Sequence, residues 1–249
     1  MLLRPLGHAT ADEGTAPPRA ADAHDGPVAT SAIVPFEGLP GLGPFFVLER
    51  DPAPGSTDLA ALIGDPAVTD AVIDRYAERL ATTRRDIAGS LFLQGWASRV
   101  ASVHAGCLAL GGGVPDLGPA NLRFHFPDVG PVELTVGDPA LRPVAGGWRQ
   151  LVDGHLAPLI GAVDDRSGPG ARRLWGNVAS ALAGALVALG RRGHGIPAEF
   201  TPMPAELTDY GDWITAGAGV RYVRRTCCNL FRVEGYGVCG DCVILRGER

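Results

Sequence analysis

The chain has 249 residues, 46% of them apolar, with 27 acidic and 22 basic side chains and a formal charge of −5. That length buries a sizeable core, and the acidic balance sets aside a nucleic-acid binder, whose mark is a basic patch on a basic domain. Every basic side chain is an arginine, a bias we read as genomic.

Met1 to Leu6 is too short an apolar run for a signal peptide, and Asp12, Glu13 and Asp22 follow soon after. The expectation is a cytoplasmic protein with no integral membrane span. Residues 7–30 scatter Gly, Pro, Ala and Asp with almost no large apolar side chains, too little burial to offset the entropy of ordering. Residues 1–31 therefore read as a flexible leader, and the folded body is expected over 32–215. Phe45-Phe46-Val47-Leu48, an apolar run between Gly/Pro-rich stretches, predicts a buried strand entering that body.

From Asp65 the period turns helical. Val72, Ile73, Tyr76 and Leu80 form one stripe; Ile87, Leu91, Trp96, Val100 and Val103 form a second, ended by Gly111-Gly112-Gly113 and Pro115. Leu122, Phe124 and Phe126 then alternate with polar residues, as do Val132, Leu134 and Val136, with Pro127 to Pro131 turning an antiparallel hairpin between them. Trp148, Leu151, Val152, Leu156, Leu159, Ile160 and Val163 predict a third helix, bent at Pro158. Asp164 to Gly170 reads as a loop. Leu174, Val178, Leu182, Leu186 and Leu189 line a fourth helix that stops at Gly190. This segment falls short of the roughly 20 apolar residues of a membrane span and holds Asn177 and Ser180, so it reads as a buried helix. The fold class expected is α+β, a helix-rich body with one antiparallel hairpin and, over 216–249, a cysteine-rich module packed on it.

Four of the five cysteines crowd into the tail as Cys227-Cys228, ten residues, Cys239, two residues and Cys242. In a reducing compartment such a set asks for a metal explanation, and four thiolates can hold zinc or an iron–sulfur cluster. Successive residues of an extended chain point in opposite directions, so Cys227 and Cys228 strain to reach one zinc, whereas a two-iron cluster spreads its ligands over two metals. This leans towards iron–sulfur and leaves zinc open; a disulfide between Cys227 and Cys228 is the remaining bland alternative. Gly235, Gly237 and Gly240 permit tight turns that bring backbone N–H groups to sulfur. The spacing matches neither the plant-type nor the bacterial ferredoxin pattern.

Thr226-Cys227-Cys228 through Gly240-Asp241-Cys242 resembles the C-terminal signature of FhuF-like ferric siderophore reductases, with all four cysteine positions and their spacing in agreement. Leu174 to Ser180 is similar to a further segment of that family and of the related siderophore synthetases. The resemblance implies a [2Fe-2S] cluster on Cys227, Cys228, Cys239 and Cys242 and one-electron reduction of a ferric siderophore, releasing iron because the ferrous ion is held weakly. It needs no catalytic acid or base. No flavin, nicotinamide or phosphate-binding fingerprint is present, so an external electron donor such as a ferredoxin or a reductase is implied. The competing class is non-catalytic, a zinc-stabilised module or an iron–sulfur redox sensor.

Arg221, Arg224, Arg225, Arg232 and Arg246 cluster around the cysteines. They form either a solvated basic face or an electropositive rim that draws an anionic ferric siderophore or an acidic donor. His104 and Cys107 lack the ligand count of a metal site and read as structural. Asn177, on an apolar segment, needs a partner if buried and is a candidate brace for the cysteine loop.

Overall fold

The computed structural model describes residues 34–111, 113–143, 145–197, 200, 203–216 and 219–244, all of which fall in one unit over 32–249. The leader reading of 1–31 and the place of Arg246 lie outside the described residues.

Helix α1 (Val34–Leu42) is followed by the short strand β1 (Thr57–Asp58), α2 (Leu59–Gly64), α3 (Pro66–Arg79) and α4 (Arg85–Gly111). Asp65 starts α3: its side chain accepts from the Ala67 N–H, and Pro66 occupies the first helical position, where a missing N–H costs nothing. The 27-residue α4 is buried on nearly every side, with α1, α3, α6 and α7 packed against it, so its sequence is apolar all round as a central helix requires. Strands β2 (Gly113–Pro115), β3 (Leu122–His125), β4 (Glu133–Val136) and β5 (Leu141–Pro143) follow. The predicted hairpin is β3–β4, antiparallel with Phe124 opposite Leu134, and β1 extends it on the β3 side; β2 pairs with β5. Phe124 meets Trp96 of α4 edge to face at 5.1 Å, closing sheet on helix. The architecture is α+β, as the periodicities predict.

The third helix is continuous but not uniform. It runs as α5 (Gly147–Leu151), a π turn over Val152–Leu156, and α6 (Ala157–Ser167). Pro158 has no N–H and its ring would strike the carbonyl four residues back; the widened turn just before it accommodates both faults without ending the helix. Of the expected 164–170 loop, only the stretch after Ser167 is free of helix. Helix α7 (Ala171–Arg191) then crosses α4. By length and composition alone α7 is able to cross a membrane, yet 67% of its apolar stretch is buried inside the fold. A 3₁₀ turn (Ala205–Tyr210) leads to a second hairpin, β6 (Gly211–Ala216) and β7 (Gly219–Arg224); this hairpin and α1 are additions to the elements that the sequence predicts.

The strand expected at Phe45–Leu48 does not form. Only Glu49 bridges to Thr135, and the carbonyls of Pro44 and Val47 accept from Arg99 Nη1 and Nη2 of α4, each at 2.6 Å. Arg99 Nε donates to Val132 O at 2.7 Å. A guanidinium from the central helix thus does for this segment what a sheet ladder would, while Phe46 is buried in the core and Leu48 packs partly against it.

Candidate metal centre

Strand β7 delivers the chain to the cysteines along helix α7. At Gly176 a Cβ would stand 1.8 Å from Thr226 Oγ1, so glycine alone lets the residue before Cys227 lie on the helix. After Cys228, Asn229 turns left-handed at φ +65°, a conformation that asparagine tolerates better than most residues. That turn brings the Asn229 N–H to Cys227 Sγ at 3.4 Å. A 3₁₀ turn (Leu230–Arg232) and Gly235, at φ +81°, reverse the chain. The second pair is itself a tight turn, with Cys242 N–H donating to Cys239 O at 3.1 Å.

Cys228 and Cys239 meet, sulfur to sulfur, at 3.8 Å. A tetrahedral metal with metal–sulfur bonds of about 2.3 Å sets its ligand sulfurs about 3.8 Å apart, so this is the edge of such a site. All five cysteines are free thiols, so Cys227 and Cys228 are not bonded to each other. Cys228 and Cys242 are buried, and Cys227 and Cys239 are half-buried. Among the described residues no three His, Cys, Asp or Glu side chains converge as a metal requires; Cys227 and Cys242 stand outside the 3.8 Å pair. The donor set fits a thiolate-bound metal in chemistry and, for that pair, in distance. Cys228 packs beside Ile87, Leu91 and Val233, an apolar pocket separate from the main core that keeps water from one side of the pair.

The pair also shares a proton. The Cys239 thiol donates to Cys228, and this bond, the Leu230 N–H and the Arg224 charge outweigh burial to pull Cys228 down to about 6. Cys239, as the donor in that bond, is pushed up. Thiolate, the form that binds metal, is therefore available near neutral pH.

Beneath the sulfurs lies a buried polar cluster. Arg224, 1% exposed, donates from Nε to Asp241 at 3.0 Å, from Nη1 to Asn177 Oδ1 at 3.0 Å and from Nη2 to Gln94 Oε1 at 2.7 Å. Asn177 Nδ2 donates to Ser90 O at 2.8 Å, and Ser90 Oγ to Cys228 O at 3.3 Å. Ser180 also bonds Asp241, and Arg224 N–H donates to Asp241 O at 3.0 Å. Burial pulls the Arg224 guanidinium down, but the charges of Asp241, Cys228 and Cys239 hold it above its ordinary value. Asp241 lies in the Cys239–Cys242 turn, so one guanidinium ties both cysteine segments to α4 and α7.

The rim reading of Arg224 is thereby corrected: a side chain 1% exposed, with its guanidinium bonded to Asp241, Asn177 and Gln94, presents no face to solvent. Arg225 is exposed and paired with Asp212. Arg232 is exposed and lies over the Phe231 ring at 5.6 Å. Arg221 is half-buried, and its Nε is buried with no hydrogen-bond partner. Ser90, Gln94 and Ser180 went unnoticed as site residues; their signal is a polar side chain on the buried face of an apolar helix, the same signal that singled out Asn177. His104 is enclosed by the Trp148 and Phe200 rings, and burial pushes the Cys107 thiol up to about 12, which leaves it inert. Neither a protein-family model nor a curated protein matches the chain.

Proposed function

We propose that the protein is a cytoplasmic ferric siderophore reductase of the FhuF-like type, with a [2Fe-2S] cluster held by Cys227, Cys228, Cys239 and Cys242. The observation that carries this reading is the Cys228–Cys239 pair, at ligand–ligand distance within the CC-x10-C-x2-C spacing. When bound, such a cluster supplies one-electron transfer: an external donor, a ferredoxin or a reductase, loses one electron and siderophore-bound Fe(III) becomes Fe(II). The residues of the chain hold, orient and insulate. Ile87, Leu91 and Val233 exclude water from Cys228; the Asn229 N–H bonds Cys227 Sγ and the Leu230 N–H favours thiolate at Cys228; and Arg224 balances the negative charge of the sulfurs from below. Electron transfer requires no proton donor at the site.

The same 3.8 Å edge suits zinc, which supports a second reading as a zinc-stabilised module or, with iron, a redox sensor. The deciding measurement is the visible absorption of anaerobically purified protein before and after dithionite, with iron and zinc content. The reductase reading expects bands that bleach on reduction and return when a ferric siderophore is added; a colourless zinc protein would sink it, and a cluster that ferric chelates fail to reoxidise would leave the sensor.

A further inference from the structure

A cavity of about 460 Å³ opens directly behind the cysteine turn, between α4, α7 and β7. One wall is Gly240-Asp241, the two residues between Cys239 and Cys242. At Gly240 a Cβ would meet no heavy atom within 4 Å, so the peptide linking the two cysteines is bare to whatever enters. The floor is the run of small residues on α7, among them Ala181, Gly184 and Ala185. Two arginines line the space, Arg191 from α7 and Arg221 from β7, and neither has an ion-pair partner among the described residues. The carboxylate beside them, Asp241, is already taken by Arg224 and Ser180. Arg221 Nε and the Tyr222 hydroxyl, the latter on a lining residue that is 5% exposed, are both buried without a hydrogen-bond partner. Neither atom opens into the cavity, the hydroxyl packing against Gly211 of β6, so what faces the space is the rest of the two guanidiniums.

We infer that this cavity is the substrate site, that it takes an anionic ferric chelate, and that Arg191 and Arg221 hold the chelate's negatively charged oxygens. The inference rests on the reductase reading and adds to it the class of substrate. The volume is that of a ligand pocket, and the small-residue floor admits the apolar body of a chelator while two guanidiniums fix its charged groups. Seated here, the iron is separated from Cys239 and Cys242 by a single two-residue turn. Reduction adds one negative charge to the chelate, which Arg191 and Arg221 stabilise, so they favour the product of electron transfer as well as binding. Arg221 thus has a role distinct from that of its buried neighbour Arg224.

The test uses redox-inert gallium(III) complexes, the tris-catecholate of charge −3 and a neutral tris-hydroxamate, titrated calorimetrically against the full chain at low salt. Binding of the anionic complex is expected to weaken about tenfold or more in Arg191→Gln and in Arg221→Gln, with little change for the neutral one. Gly184→Leu, which fills the cavity from an open helix position and favours the helix, is expected to remove both, and Arg232→Gln, outside the cavity, to change neither. Failure of both complexes to bind wild type, binding that survives Gly184→Leu, or equal losses of the two complexes in the arginine variants would overturn the assignment. Gallium binding requires no electron transfer. A bleachable spectrum with no gallium binding removes this site and leaves the reductase; selective gallium binding to a colourless protein keeps the site and removes the reductase.

Discussion

Among the described residues two arginines are almost wholly buried, and they are solvated in opposite ways. Arg99 gives its donors to three neutral carbonyls, those of Pro44, Val47 and Val132, and burial pulls it down to about 10 against the weaker attraction of Glu49 and Glu133. Arg224 faces a carboxylate, two side-chain amides and the sulfur pair, and is held up. The first stitches an irregular segment and a hairpin to the central helix; the second anchors the cysteine loops. A buried cation joined to backbone carbonyls is a fold device, while one joined to ionisable partners under a ligand set is a site device.

Removing Arg99 should have the largest effect. Arg99→Ala leaves three carbonyls without their donor, and we expect a loss of about 4 kcal/mol or more of folding stability, read as a fall in the denaturant midpoint. Arg99→Lys should not restore it, since one ammonium lacks the planar fork that reaches three acceptors. A full rescue by lysine would mean that charge, not the fork, holds the segment.

A third buried polar group sharpens the contrast by carrying no charge. His155, in the π turn, accepts from Trp96 Nε1–H at its Nε2 and meets Leu117 O at Nδ1, both at 2.7 Å, so the proton sits on Nδ1. Burial pulls it down to about 4, against the Leu117 bond, which favours the charged form. Between about pH 6.5 and that value the unfolded chain binds a proton that the folded chain refuses, so stability falls as the pH falls. The expected loss across the window is up to about 3 kcal/mol, measured as urea midpoints at stepped pH. His155→Gln, which can keep both bonds, should flatten that part of the profile, and an unchanged slope would place the proton uptake elsewhere.

The smallest effect on folding, and the most selective, belongs to Arg224. Arg224→Gln should lower affinity for the metal proposed at the cysteines by about 10- to 100-fold, as loss of a supporting group behind a ligand set does, when folded, metal-loaded protein is titrated with a competing chelator. Arg99→Lys, corrected for folded fraction, should leave that affinity alone. If both variants lose metal equally, the distinction between fold device and site device fails.

The helices α3 and α7 and the β3–β4 hairpin were legible because each writes its burial in a local period, α4 because apolar residues recur through its 27 residues with no proline to break them, and the four cysteines because their spacing is compact. Phe45–Leu48 was not: its run is strand-like, and the group that satisfies its carbonyls is Arg99, more than 50 residues away. Arg224 failed for the same reason. Beside Arg225 it reads as one more surface cation, and only the fold brings Gln94, Asn177 and Asp241 around it. The β6–β7 hairpin had a local signal in Trp213, Ile214, Tyr222 and Val223, but the short polar stretches around it masked the alternation.

Gly176 and Asn177 sit side by side on α7, one giving Thr226 its place and the other holding Arg224. Neither touches metal. Even so, any branch of descent that keeps this cysteine geometry is expected to keep that dipeptide one turn into its helix, while chains that share only the cysteine spacing have no reason to carry it. The pair is therefore a better diagnostic than the cysteines themselves for telling relatives of this protein from chance cysteine-rich tails.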